Sequence, residues 1–198
     1  MGIKFCIFDV GKVCYDYTLD PLNDYCRRMS NDKNAFDKIG GVKSFDYDPY
    51  MKGEVTFCDM CMDLCRHCQV DFGVDTLQIF DELMHQGIGS VFKETIAVMR
   101  FLKNNGVKIC LLSNALPNLS GSESFLAYVD YIFLSYRLGL LKPDIRIFER
   151  LLSELGACPQ EVAFVDDKQK NVDAAASLGI KAFVFDRRTI IENVKELF

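Results

Sequence analysis

The stretch Ile3-Lys4-Phe5-Cys6-Ile7-Phe8-Asp9-Val10-Gly11 decides the fold. An apolar run rich in Ile and Phe reads as a strand buried on both faces, as in a parallel sheet. Asp9 stands where the run stops, and Gly11 follows, a residue that lets the chain turn sharply. Ligands and chemistry in open α/β sheets gather in the crevice at the carboxyl ends of the strands. A lone aspartate there would read equally well as a loop cap. A second apolar run, Val162-Ala163-Phe164-Val165, also ends in carboxylates, Asp166 and Asp167. Two strands delivering acids to one edge point to a site.

Outward from that strand, the chain divides by pattern. Helical pieces with polar interruptions and no convincing strand run from about Tyr15 to Gly89. The spacing predicts helices over Pro21–Arg28, Asp32–Ile39, Thr56–Cys68 and Asp75–His85, with Thr56-Phe57-Cys58-Asp59 as a capping box. Alternation then begins. Helix is expected over Val91–Asn105, strand over Val107–Leu112, a short helix near Ser122–Tyr128 and strand over Tyr131–Leu134. An amphipathic helix over Pro143–Leu155 precedes the strand Val162–Val165. Helix over Asn171–Leu178, strand over Lys181–Phe185 and helix from Thr189 onward complete the pattern. Strand–helix repeats of this length predict an α/β fold, a Rossmann-like three-layer core around a parallel sheet. Residues 1–14 and 90–198 are assigned to that core, and residues 15–89 to a small helical cap inserted above Asp9.

A chain of 198 residues is long enough to bury a substantial core. Its net charge of −5 argues against a nucleic-acid partner, which wants a basic face. No apolar stretch approaches the ~20 residues of a membrane span, and the N-terminus lacks a signal-peptide pattern. The nine cysteines are an odd number set largely in apolar patterns, which suits a reducing cytoplasm better than a disulfide scaffold. Cys58, Cys61, Cys65 and Cys68 imitate a metal motif. On one helix, however, they form a stripe roughly 15 Å long. A tetrahedral zinc site with bonds of about 2.3 Å cannot use all four, so the stripe reads as a packing face.

The remaining chemistry sits at strand ends. Asp9, Ser113-Asn114 and Asp166-Asp167 close three strands, and Lys142-Pro143 opens a helix between them. Three carboxylates in one crevice repel one another unless a cation joins them. Oxygen ligands without Cys or His suit a hard ion, Mg²⁺ above all. Lys142 adds fixed positive charge, and Ser113 Oγ with nearby N–H groups could hold a phosphate.

These residues resemble the four motifs of the haloacid dehalogenase (HAD) superfamily: Phe8-Asp9-Val10-Gly11-Lys12-Val13, Leu112-Ser113-Asn114, Leu138-Gly139-Leu140-Leu141-Lys142-Pro143, and Phe164-Val165-Asp166-Asp167 with Asn171. The pattern is nearest the branch of α-glucose-1-phosphate phosphatases and the N-terminal phosphatase domain of soluble epoxide hydrolases. The resemblance implies a Mg²⁺-dependent phosphatase acting on a small phosphate monoester, plausibly a sugar phosphate, through an aspartyl-phosphate. It implies Asp9 as nucleophile, Ser113 holding a phosphoryl oxygen with Asn114 beside it, and Lys142 orienting Asp9. It implies Mg²⁺ on Asp9, Asp167 and the Gly11 carbonyl, with Asp166 in support.

One departure matters. Most of the superfamily's phosphatases carry a general acid where this chain has Gly11, although some members of the nearest branch share a Gly there. Two alternatives follow: a catalytically weak binding or regulatory protein, and a metal-free haloacid dehalogenase, which the acid pair disfavours. Lys12, Arg27, Arg28 and Tyr47 are scattered candidates for specificity in the cap. The sequence does not set the oligomeric state.

Overall fold

The computed structural model describes residues 2–116 and 124–196. In chain order the elements begin with β1 (Phe5–Phe8), β2 (Tyr15–Tyr17), α1 (Asp20–Met29), α2 (Lys33–Ile39), α3 (Asp48–Met51), α4 (Phe57–Cys68), α5 (Thr76–Gln86) and β3 (Ile88–Val91). They continue with α6 (Lys93–Asn104), β4 (Lys108–Ser113), β5 (Tyr131–Leu134), α7 (Ser135–Leu138), α8 (Ile145–Leu155), β6 (Val162–Asp166), α9 (Gln169–Ser177), β7 (Lys181–Val184) and α10 (Ile190–Lys195). Short 3₁₀ turns occupy Gly41–Ser44, Ser124–Tyr128 and Pro159–Glu161.

Five strands form one parallel sheet in the order β5-β4-β1-β6-β7. The central strand shows why this sequence demands two covered faces. Cys6 and Phe8 pack with Met99, Leu102 and Val194 of α6 and α10, while Ile7 packs with Phe148, Leu151 and Ala175 of α8 and α9. Strand side chains alternate between faces, so a strand apolar at every position must be sandwiched. The expected α/β three-layer fold is the observed one.

The helices between β2 and β3 gather a separate apolar cluster around Leu22, Phe36, Leu64 and Phe80. Cys61, Cys65 and Cys68 are buried in it, so the cysteine stripe packs against its neighbours as its spacing suggests. The Thr56–Asp59 capping box that opens α4 is present. His67 is held by packing and hydrogen bonding: Nε2 lies 3.1 Å from both Ser44 Oγ and the Gly41 carbonyl. Among the described residues no helix is long and apolar enough to cross a membrane.

Several local expectations are corrected. The stretch from Tyr15 to Gly89 was expected to hold no strand, yet β2 lies there and pairs antiparallel with β3. Runs of three and four residues are too short for alternation to declare itself. Glycine lets the two segments approach: a Cβ at Gly87 would lie 2.0 Å from the Thr18 carbonyl oxygen. Because Val91 ends β3, the helix expected from Val91 begins at Lys93. The helix expected from Pro143 begins at Ile145, with Asp144 as its N-cap accepting from the Arg146 N–H. Of the helix expected over Ser122–Tyr128, Ser122 and Glu123 lie outside the described residues, and Ser124–Tyr128 is 3₁₀. The final two positions of the last expected helix also lie outside them.

Candidate active site

Parallel pairing places the site. In register, Phe8 is level with Leu111 of β4 and Val165 of β6. One residue further, the same edge carries Asp9, Leu112 and Asp166 side by side, with Ser113 just beyond. The Asp9 N–H donates to the Val165 carbonyl at 2.9 Å, extending the ladder to the acid itself. After Asp9 the chain turns back: the Val10 carbonyl accepts from Cys14 N at 2.8 Å, and Cys14 Sγ donates to the Asp9 carbonyl at 3.3 Å. Lys12 takes a left-handed φ of 66° in this turn, a conformation uncommon outside glycine. The buried Thr95 hydroxyl donates to the Val13 carbonyl and ties the turn to α6.

Lys142 is the hub. Its side chain is 1 % exposed, and Nζ donates to Asp9 Oδ1 at 2.7 Å, Asp166 Oδ2 at 2.7 Å and the Leu112 carbonyl at 2.8 Å. Three acceptors use all three protons of the ammonium. Burial alone would push Lys142 down, but Asp9 and Asp166 together outweigh it and raise its pKa, so the ammonium stays charged. Asn114 sets where Lys142 stands. Its side-chain amide donates to the Lys142 carbonyl and accepts from the Lys142 N–H, both at 2.9 Å. The sequence placed Asn114 beside Ser113; the geometry gives it the backbone of the lysine to hold. The Lys142–Pro143 peptide is cis.

The acids have different surroundings. Asp166 is fully buried and saturated: beyond Lys142, its Oδ1 accepts from Lys168 N and Asn171 Nδ2, both at 2.9 Å. Asp9 is raised by burial, and further by Asp166, against the opposing pull of Lys142. Asp167 is raised by burial and then by the charges of Asp9 and Asp166. Its Oδ1 is buried with no hydrogen-bond partner. One oxygen from each of Asp9, Asp166 and Asp167 lies within 4.8 Å of the others. One buried ammonium against three carboxylates, with Lys168 acting on Asp167 only from the exposed rim, leaves a surplus of negative charge that a divalent cation would match. An oxygen-only set with an orphaned buried oxygen suits a hard ion.

Asp9, Gly11, Ser113, Asn114, Lys142 and Asp167 all line one cavity of about 590 Å³. Of the suggested specificity residues, Lys12 and Tyr47 also line it, whereas Arg27 pairs with Asp37 at 2.7 Å on the surface. Arg28 is exposed.

A profile of the haloacid dehalogenase-like hydrolases matches residues 3–179. The chain belongs to that family. This hydrolase is 32 % identical over 172 residues to the sesquiterpene phosphatase astK of Aspergillus oryzae, covering 75 % of this chain and 87 % of that protein. It is 27 % identical over 165 residues to bifunctional epoxide hydrolase 2 of Sus scrofa, covering 74 % of this chain. The chain spans well under two thirds of several curated relatives, 29 % of that pig protein and 15 % and 35 % of two others. Among solved structures, the fold is similar to a HAD family enzyme of Bacteroides thetaiotaomicron in complex with magnesium and inorganic phosphate. That similarity has a TM-score of 0.74 and 19 % identity, covering 94 % of this hydrolase and 96 % of that chain.

Sequence reasoning missed two supports of the hydrolase site. Ser135 Oγ accepts from Ala115 N at 3.1 Å and donates to the Met51 carbonyl at 2.7 Å, linking the strand-end loop to α3. Lys168 serves Asp166 through its backbone, and no side-chain signal could have announced that.

Proposed function

We propose that this hydrolase is a Mg²⁺-dependent phosphatase of small phosphate monoesters, with Asp9 as nucleophile. The observation that carries the reading is the charge balance at the strand ends, with Lys142 bridging Asp9 and Asp166 while Asp167 Oδ1 is buried and unpartnered. Relatives named as phosphatases support it. Mg²⁺ would be held by Asp9, Asp167 and the Gly11 carbonyl, with Asp166 behind them, and would supply charge neutralisation for a phosphoryl group. Raised pKa values at Asp9 and Asp167 express the same deficit, since a bound cation favours both carboxylates.

Asp9 attacks phosphorus, the ester oxygen leaves with its bonding pair, and water then hydrolyses the aspartyl-phosphate. Lys142 keeps Asp9 ionised and aimed, Ser113 holds a phosphoryl oxygen, and Asn114 positions Lys142. Residues 15–89 act as a cap over a core formed by 1–14 and 90–198. The metal-free dehalogenase reading leaves the acid surplus uncompensated, which is costly in a buried site. The weakly catalytic reading rests on Gly11 alone.

The test is phosphate release from p-nitrophenyl phosphate with and without Mg²⁺, in the native protein and in Asp9→Asn and Asp167→Asn. Activity that needs Mg²⁺, vanishes in Asp9→Asn and demands far more Mg²⁺ in Asp167→Asn is expected. Turnover that persists in Asp9→Asn defeats the assignment.

A further inference from the structure

We propose that the alcohol half of the ester is an extended hydrocarbon chain rather than a sugar; this rests on the phosphatase reading above. The cavity is divided by chemistry. Its carboxylates, amides and the buried ammonium, with the Ser113 hydroxyl, gather at the strand ends: Asp9, Ser113, Asn114, Lys142, Asp167 and Asn171. Away from them the wall is apolar, with Leu19, Met51 and Ile88 from one side and Phe125, Ile132 and Leu134 from the other. At about 590 Å³ the space is in the range that encloses a ligand of drug size, well beyond a phosphate group.

Away from the strand ends the polar lining is limited to Lys12, Tyr15, Tyr17, Tyr47 and Lys168, outnumbered by apolar residues. The Tyr47 hydroxyl donates its proton to the Val42 carbonyl at 3.1 Å and is left only to accept, and the Lys12 ammonium is drawn toward Asp16, with two protons remaining. Tyr17 OH is buried without a partner; it can meet one oxygen, not the several hydroxyls of a hexose. Each sugar hydroxyl buried without a match would weaken binding on the order of ten- to a hundredfold. Two apolar side chains of the lining also remain open to solvent, Ile132 at 50 % and Leu126 at 36 % exposure. A hydrocarbon chain lying from the strand ends across this wall would cover them.

A homologous series of n-alkyl phosphates from ethyl to octyl tests this, with glucose 6-phosphate alongside and Mg²⁺ held constant. The leaving group is a primary alkoxide throughout the series, so the alkyl rates report contact with the wall and not leaving-group chemistry. We expect kcat/KM to rise with chain length, by up to about fourfold per buried methylene, reaching at least about tenfold between butyl and octyl. Octyl phosphate should also exceed glucose 6-phosphate, and Leu134→Gln with Ile132→Gln should flatten the series. A flat series, or preference for glucose 6-phosphate, overturns the apolar alcohol while phosphate release itself upholds the phosphatase. If no ester is cleaved, the phosphatase reading falls, and calorimetric binding decides the wall. Octyl phosphate binding at least tenfold tighter than inorganic phosphate keeps the wall as a site for an apolar chain while the ester chemistry falls, and equal affinity ends both.

Discussion

Gly11 stands where the family resemblance expects a general acid, and replacing it with Asp is a test with a calculable size. Its φ is outside the left-handed region, and a Cβ built there meets nothing within 4 Å. The new side chain therefore enters open space beside Asp9 in the same cavity. Removing a glycine at a compatible conformation typically stabilises by about 0.4–1 kcal/mol through the unfolded chain, so Gly11→Asp should fold. Its carboxyl would join a site already rich in negative charge, which favours the protonated form an acid needs. A positioned acid contributes about 10²–10⁴-fold, equivalent to roughly 2.7–5.4 kcal/mol of barrier. Alkyl phosphates, whose alkoxides leave poorly, should gain most of that factor, while p-nitrophenyl phosphate gains little. The assay is phosphate release from both esters in the native protein and in Gly11→Asp, with Asp9→Asn as the inactive control. The expected outcome is a rate gap between the two esters narrowed by at least about tenfold. A folded, Mg²⁺-binding Gly11→Asp protein with an unchanged gap would show that protonation is already supplied by another group, and the reasoning fails.

Three further outcomes follow from the contacts. Lys142→Met strands two buried carboxylates and should cost about 3–5 kcal/mol at neutral pH; urea denaturation should show the loss shrinking in acid as Asp9 becomes protonated, and an equal loss at both pH values would contradict the charge argument. Ser135→Ala removes the acceptor for Ala115 N–H and the donor to the Met51 carbonyl, and should destabilise by about 1–3 kcal/mol, with a change below ~0.5 kcal/mol refuting a structural role. Asp130 is lowered: burial raises it, but the Lys103 ammonium, the Ile109 N–H and Lys108 outweigh that. A carboxylate depressed in the folded state contributes stability above its unfolded pKa, lost as pH falls through the folded value. Asp130→Asn should therefore lower stability at pH 6 and flatten the acid limb below pH 4, and an unaltered limb in a denaturation series counts against it.

The parallel sheet and its acid-bearing edge were legible because both are local signals repeated along the chain. Runs such as Cys6–Phe8 and Val162–Val165 are apolar at successive positions, and Asp9 and Asp166-Asp167 stand where the runs stop. The small ribbon of β2 and β3 was not legible, since its two segments are too short to show a period and are recognised only by each other. The same limit applies inside the site. Lys142 and Asp9 are 133 positions apart in sequence, and nothing in either neighbourhood specifies that Nζ divides itself between Asp9, Asp166 and the Leu112 carbonyl. Asn114 reads as a companion of Ser113 until folding brings the Lys142 backbone to its amide. Which acid keeps an unpartnered oxygen, and how apolar the wall beyond the phosphate end is, depend on side chains brought from both sides of the cavity. Strand periodicity and strand-end chemistry are properties of consecutive residues, so the sequence alone determined the core and its candidate residues. Hydrogen-bond partners and cavity walls are properties of surfaces that meet only after the chain has closed on itself, and those the tertiary structure decided.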